Sequence, residues 1–209
     1  KTEDFGKSWR LLGGGFPEGE IARVIREDPV RPGLLYVGTE SGICVSLDDG
    51  ETWTVLETNL PVVPVYDLKV KDHDLVAGTH GRSFWILDDL TPLRDLVDGG
   101  ATGEARLFPP APTYRRWLNW FAKGPRLVEP EDKSYLLALG GAATWREHDA
   151  DDGELIRTFI DAGENPPFGA IVYYLLEDEP AGEISLSFLD GDGELIKSFS
   201  SKPAVKGGD

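Results

Sequence analysis

The chain has 209 residues, a formal net charge of −16 and 40 % hydrophobic residues, a composition typical of a folded protein. The acidic charge argues against nucleic-acid and anionic-membrane partners, because phosphate groups are bound by Lys and Arg. A single cysteine, Cys44, excludes an internal disulfide, and no stretch approaches the ~20 apolar residues of a membrane span.

The first motif lies in residues 2–9 and contains a hydroxyl side chain, an aspartate, a glycine, a second hydroxyl and a tryptophan in that order. The same order returns 44 residues later, in residues 46–53. We expect the aspartate to accept backbone N–H groups of a tight turn, the glycine to supply a positive φ and the tryptophan ring to pack on a sheet. The motif residues are Asp4, Gly6 and Trp9 in the first copy and Asp48, Gly50 and Trp53 in the second.

Short apolar runs separated by turn residues predict strands at 21–25, 34–39, 43–47 and 53–56, then at 65–70, 75–79 and 83–87. A third, degenerate copy of the motif contains Asp88 and Asp89, but Leu90 stands where the motif has glycine. Residues 88–93 are therefore interpreted as the end of the repeated region. A period of 40 to 44 residues with several strands per unit is the signature of β-propeller blades.

These motifs resemble the Asp-box, or BNR, repeat of sialidases and of sortilin-type ectodomains, over about residues 1–95. Residues 37–53 and 78–89 resemble the sortilin-like branch, whose family name often carries the words glycosyl hydrolase. The resemblance implies a propeller of more blades than this chain holds, so we interpret the chain as the C-terminal part of a larger propeller. It also implies a secreted or cell-envelope protein.

The second half begins after a Pro-rich passage at 107–112. An aromatic-rich segment, 114–121, is interpreted as packing between domains, with a ligand platform as the alternative. Strands are predicted at 135–139, 143–147, 156–160, 170–176, 183–189 and 194–199, with hairpin turns such as 190–193. Six short strands favour an immunoglobulin- or fibronectin-like β-sandwich, and residues 163–176 resemble the sandwich appended to this propeller family.

The predicted fold class is thus all-β: about two four-stranded propeller blades followed by a β-sandwich. We place the blades at 1–95, a linker and interdomain packing segment at 96–132, and the sandwich at 133–209, which is incomplete if the chain is a fragment.

Candidate site residues follow from the loop positions that a propeller implies. Loops between second and third strands share a face with the connections between blades, whereas Asp-box turns lie on the opposite face. Glu40, His80 and Arg82 fall on the first face and are the ligand-binding candidates: His80 can transfer protons near neutral pH and Arg82 can bind a carboxylate. The alternative is an ordinary turn in which Arg82 bonds neighbouring carbonyls and His80 is solvated. The Asp-box residues are predicted to be structural.

No catalytic set is visible, because a sialidase needs clustered arginines, a tyrosine with its glutamate and an acid aspartate. Tyr66 alone does not supply it. No metal site or cofactor is predicted. Calcium binding at the acidic loops 149–154 and 190–194 remains an alternative to solvated hairpin turns, although neither loop fits the EF-hand pattern. Whether the whole protein is an enzyme is left open.

Three functions remain at this point. The first is a carbohydrate- or protein-binding and scaffolding module. The second is the C-terminal portion of a sialidase-like glycoside hydrolase whose catalytic residues lie in other blades. The third is a structural protein whose sandwich docks a partner. Because an incomplete set of blades leaves bare strand edges, a homodimer through those edges is expected if the chain stands alone.

Overall fold

The structure is a computed structural model that describes residues 1–97, 105–113, 134–138, 141–149, 155–159, 162–163, 166 and 169–202. It divides into two compact units, and each is described by itself. The first comprises residues 1–100 and 108–173, and the second comprises residues 101–107 and 174–209. The predicted domain limits at 95 and 133 stay a prediction.

Strands dominate the described residues, which confirms the all-β prediction at the level of fold class. The strands are β1 (Ala22–Glu27), β2 (Leu35–Thr39), β3 (Ile43–Ser46), β4 (Thr54–Val55), β5 (Val65–Lys71), β6 (Asp74–Thr79), β7 (Phe84–Leu87), β8 (Ala105–Leu107), β9 (Ser134–Ala138), β10 (Gly141–Asp149), β11 (Leu155–Phe159), β12 (Tyr174–Leu176), β13 (Ser185–Leu189) and β14 (Leu195–Ser200). The one helix among the described residues is α1 (Thr91–Val97).

Two antiparallel meanders form the main body of the first unit. Sheet 1 has the order β1-β2-β3-β4, and sheet 2 has the order β5-β6-β7. Strand β5 lies against both β1 and β2. Strand β2 is buried along its whole length, as expected for a strand whose sheet is covered on both faces.

The two faces of sheet 1 have different neighbours. One face packs on sheet 2 and forms the main hydrophobic core, with Tyr36 and Val45 from sheet 1 and Leu68 and Leu75 from sheet 2. The other face of sheet 1 is covered in part by the segment that precedes β1. It carries a smaller cluster of Leu35, Val37, Cys44 and Trp53, with Phe16 packed against it.

The expectation of four strands in the second unit is wrong for the described residues, since sheet 2 ends at β7. Leu90 explains the difference. It replaces the motif glycine, it is fully buried in the main core, and the chain continues from it into α1 rather than into a fourth strand.

A buried ion pair joins the first turn of sheet 1 to this helix. The Arg94 Nε of α1 donates to both carboxylate oxygens of Asp28, at 3.1 and 3.0 Å, and both residues are buried. The same Asp28 accepts the backbone N–H groups of Val30 and Arg31, each at 2.9 Å. Arg94 also reaches the Asp72 carbonyl at 2.9 Å, so one guanidinium ties the β1–β2 and β5–β6 turns together.

Strands β9 to β14 overlap the six ranges predicted for the second half but lie in separate antiparallel sheets, and β8 was not predicted. Strands β9, β10 and β11 form a sheet of the first unit, while β8–β12 and β13–β14 are two-stranded sheets of the second. The aromatic segment 114–121 lies outside the described residues. No helix in the described part of the chain has the length and apolar character needed to cross a membrane.

Candidate functional site

The meander topology separates two ends of sheets 1 and 2. The box end holds the Asp-box turn before β4, the β1–β2 turn and the Asp28–Arg94 pair; Asp49 N–H donates to the Gly33 carbonyl there, at 2.8 Å. The loop end holds the β2–β3 and β6–β7 loops together with the first residues of β1 and β5. Glu40 and His80 lie at this loop end, in the β2–β3 and β6–β7 loops.

Two β-bulges place the first functional side chains at the loop end. Ala22 pairs with Thr39 and Val24 with Gly38, which leaves Arg23 as an extra residue in β1. The pairing of β5 with β6 skips Tyr66 in the same way. A bulge re-aims the side chain it carries and is frequent beside functional sites. Equivalent positions of the two repeat units thus hold a guanidinium and a phenol ring.

Two threonine hydroxyls shape the loops opposite these bulges. Thr39 Oγ1 accepts the N–H groups of Ser41 and Gly42, both at 3.2 Å, and so closes the loop that carries Glu40. Thr79 Oγ1 accepts the N–H of Arg82 at 3.2 Å and donates to the Ser83 carbonyl at 2.7 Å. The two repeat units therefore use the same hydroxyl position to build a loop of different length.

Four side chains from these elements contact one another in succession, and we call them the stacked cluster: Glu40, Arg23, Tyr66 and His80. Arg23 forms an ion pair with Glu40 and lies over the Tyr66 ring, with Cζ at 5.3 Å from the ring centroid. His80 stacks on Tyr66 with 5.2 Å between ring centroids and 22° between ring planes. Tyr66 remains 49 % exposed, so part of this aromatic residue faces solvent beside the Arg23 guanidinium.

Arg82 lies in the same loop as His80. Its side chain makes none of the bonds to neighbouring carbonyls that were expected if this loop is an ordinary turn. Its side chain is exposed and has no hydrogen bond or ion pair to another described residue. Its own carbonyl accepts the Trp85 indole N–H at 3.0 Å, which holds the loop against β7. Gly81, with φ of +90°, makes the turn that separates Arg82 from His80. The structure thus leaves a guanidinium directed to solvent beside the stacked cluster.

A second carboxylate flanks the cluster. Glu20 Oε1 accepts the Ser41 hydroxyl at 2.6 Å, while its Oε2 is shielded from solvent without a partner in the described part of the chain. The hydrogen bonds from the Ser41 and Thr39 side chains lower the pKa of Glu20. Glu20 is therefore ionised at neutral pH.

The Asp-box residues lie at the box end and hold their turns by matching hydrogen bonds. In the first copy, Asp4 accepts the Ser8 N–H at 2.9 Å and the Ser8 hydroxyl at 2.7 Å. In the second, Asp48 accepts the Thr52 N–H at 2.8 Å and the Thr52 hydroxyl at 2.6 Å. Gly6 and Gly50 have φ of +85° and +88°, which only glycine adopts without strain.

The two motif tryptophans differ, and the expectation that both pack on a sheet is wrong for Trp9. Trp53 is 7 % exposed and meets Phe16 edge-on, with 6.1 Å between ring centroids. Trp9 is 74 % exposed. The physical reason is that Trp53 covers β2 and β3 of its own sheet, whereas residues 1–8 form only the turn and give Trp9 no sheet of its own.

Sequence reasoning did not select Arg23 and considered Tyr66 only as an isolated tyrosine. A bulge depends on the pairing register of two strands, which periodicity does not reveal. One signal was available: Arg23 and Tyr66 occupy corresponding places in the two units, each before the apolar run of an inner strand.

The acidic loops show no metal geometry among the described residues. No group of three or more His, Cys, Asp or Glu side chains comes within reach of one ion there. Asp190 Oδ1 instead accepts the N–H groups of Asp192 and Glu194, at 3.0 and 2.9 Å, as in a hairpin turn. Most of the loop 149–154 lies outside the described residues.

No protein-family model, no curated protein and no solved structure matches the chain significantly.

Proposed function

We propose that this chain is part of an Asp-box β-propeller protein and that it binds carbohydrate at the stacked cluster, without catalysing a reaction there. The observation that carries the proposal is the half-exposed Tyr66 ring, stacked on His80 and flanked by the Arg23–Glu40 pair. A sugar ring has an apolar C–H face and a polar rim. An aromatic surface bordered by charged hydrogen-bonding groups complements both.

The fold part of the proposal rests on sheets 1 and 2. Both are antiparallel meanders, they pack face to face, and their first strands β1 and β5 are neighbours. The Asp-box turn at 46–53 joins β3 to β4 in sheet 1, and its degenerate copy, 40 residues later, follows β7 of sheet 2. These features support the propeller proposal, since propeller blades are antiparallel sheets repeated around an axis. We extend the proposal to a β-sandwich in the second half and to a secreted or cell-envelope location, on the resemblance alone.

Binding without catalysis is favoured over a hydrolase site by the state of the polar groups. Glu40 already neutralises the Arg23 guanidinium. His80 contacts the rest of the cluster by stacking on the Tyr66 ring. A glycosidase needs two carboxyl groups placed across one bond, whereas here Glu40 is engaged by Arg23 and Glu20 by the Ser41 hydroxyl.

A glycan array covering neutral and acidic oligosaccharides tests the proposal, followed by calorimetric titration of the tightest binder. Tyr66→Ala is expected to weaken binding about 2- to 13-fold, since an aromatic stack contributes about 0.5–1.5 kcal/mol. Phe84→Ala is the matched control, because Phe84 is an exposed aromatic residue outside the cluster. Hydrolysis of any glycan that disappears in His80→Ala or Arg82→Ala would overturn the proposal.

A further inference from the structure

The β2–β3 loop is held by side chains from the beginning of β1 and from the residues just before it. Glu20 lies two residues before β1, and its Oε1 accepts the Ser41 hydroxyl at 2.6 Å. Its other carboxylate oxygen, Oε2, is shielded from solvent. Three residues after Glu20, Arg23 pairs with Glu40 in the same loop. Two consecutive loop residues are therefore held, one by a carboxylate and one by a guanidinium.

The second repeat unit holds its corresponding loop by the main chain. The His80 N–H donates to the Pro64 carbonyl at 2.9 Å, just before β5 begins. The Glu40 N–H of the first unit donates to no main-chain carbonyl among the described residues. The Glu20 side chain therefore provides, before β1, the anchor that a main-chain bond provides before β5.

The strand registers show that this carboxylate is specific to the first unit. Ala22 of β1 and Val65 of β5 occupy equivalent positions, since each lies opposite the threonine that ends the next strand. Two residues before them stand Glu20 and Val63, and Val63 is buried. A carboxylate thus replaces an apolar side chain in the unit whose loop lacks the main-chain bond.

The charge of Glu20 strengthens its bond to the loop. Hydrogen bonds from the Ser41 and Thr39 side chains lower the pKa of Glu20, so the group is a carboxylate at neutral pH. The distance of 2.6 Å from Ser41 Oγ is typical of a hydroxyl that donates to an ionised oxygen. Such charge-assisted bonds are about twice as strong as neutral ones. One side chain can therefore keep this short loop in place.

We propose that Glu20 is a positioning residue of the stacked cluster. Through the Ser41 hydroxyl it fixes the loop that carries Glu40, and Glu40 in turn fixes Arg23 over the Tyr66 ring. Glu20 acts through these residues rather than on the ligand. Its effect on glycan affinity rests on the proposed function, whereas its effect on the position of Arg23 does not.

Nuclear magnetic resonance of the full chain without any glycan tests the positioning role. The Arg23 Nε–H donates to Glu40, so its signal reports directly on that side chain. Glu20→Ala and Ser41→Ala each remove the same hydrogen bond, and both are expected to shift the Arg23 Nε–H and Tyr66 ring signals in the same direction. The double variant is expected to add little, because either single variant has already lost the bond.

Glu27→Ala is the matched control, because the Glu27 carboxylate also accepts a loop hydrogen bond, from the Gly33 N–H at 3.1 Å, but at the box end. It should leave the Arg23 and Tyr66 signals unchanged. Calorimetric titration with the tightest-binding glycan then measures the consequence for the site. Glu20→Ala is expected to weaken binding about 2- to 10-fold, the effect of one hydrogen bond, with a urea midpoint near that of the unmodified chain.

Two outcomes would overturn the positioning role. One is a folded Glu20→Ala variant whose Arg23 and Tyr66 signals match those of the unmodified chain. The other is a double variant with Ser41→Ala whose signal shifts equal the full sum of the two single shifts. If the signals shift as expected but no glycan binds the unmodified chain, the proposed function fails and the positioning role stands.

Discussion

The two ends of sheets 1 and 2 use polar residues in opposite ways. At the box end, the Asp28–Arg94 pair is buried and satisfied inside the chain. At the loop end, the Arg23–Glu40 pair and the Tyr66–His80 stack face solvent. The comparison indicates that the residues that reveal the repeat hold its turns, whereas the proposed binding residues occupy less regular positions.

Breaking the buried pair should give the largest effect. Arg94→Ala leaves the Asp28 carboxylate buried without its counter-charge and should lower the free energy of unfolding by about 3–5 kcal/mol. The matched control is Arg26→Ala, which breaks an exposed pair with Asp67 and should cost about 0–1 kcal/mol. Urea denaturation measures both. Equal losses for the two variants would contradict the contrast between the ends.

Crowding at the loop end gives the next largest effect. A Cβ on Gly38 would stand 2.6 Å from the Val65 carbonyl oxygen, so Gly38→Ala forces β2 and β5 apart. We expect a loss of about 1–3 kcal/mol and a change in the environment of Tyr66, seen in its ring proton shifts. Gly13→Ala is the control, since a Cβ there meets no atom within 4 Å. An unchanged unfolding midpoint in Gly38→Ala would show that this close approach is not needed.

Acid should weaken the box end. Hydrogen bonds from the Ser8 hydroxyl and N–H lower the pKa of Asp4 to about 2. Partial burial raises the pKa of Asp48, but the hydrogen bonds from Thr52 and Ser46 outweigh it and lower the pKa. Both folded pKa values lie below the unfolded value of about 3.9, so this stabilisation is complete above pH about 4 and is lost as the pH falls toward about 2.

Thermal melts across that pH range check the prediction. Asp48→Asn should flatten the decline of the melting temperature, whereas Asp192→Asn should leave it unchanged because Asp192 lies exposed in a hairpin turn. A decline of equal steepness in Asp48→Asn and the unmodified chain would argue against the box carboxylates as its source.

The smallest effect on stability is expected within the stacked cluster. Glu40→Gln removes an ion pair whose side chains are 42 % and 34 % exposed, and should change the free energy of unfolding by less than about 1 kcal/mol. Its effect should instead appear in glycan affinity, because Arg23 is no longer held in place. A large loss of stability with unchanged affinity would reverse the roles of the two ends.

The sequence predicts the Asp-box turns better than the Asp28–Arg94 pair or the loop end, for a physical reason. A hydroxyl, an aspartate and a glycine within a few residues form their turn by local hydrogen bonds, so spacing alone reveals it. The Asp28–Arg94 pair joins residues 66 positions apart, and the bulges at Arg23 and Tyr66 depend on strand register. Neither leaves a local pattern. Trp9 shows the limit of the motif itself, since the same residue type is buried only where a sheet lies beneath it.

Glycan titration of Tyr66→Ala beside Asp48→Asn at neutral pH tests the division between the two ends most directly. The account predicts that Tyr66→Ala loses affinity for the tightest-binding glycan while its urea midpoint stays near that of the unmodified chain. It predicts the reverse for Asp48→Asn, with a lower midpoint and unchanged affinity. Unchanged glycan affinity in a folded Tyr66→Ala variant would contradict it.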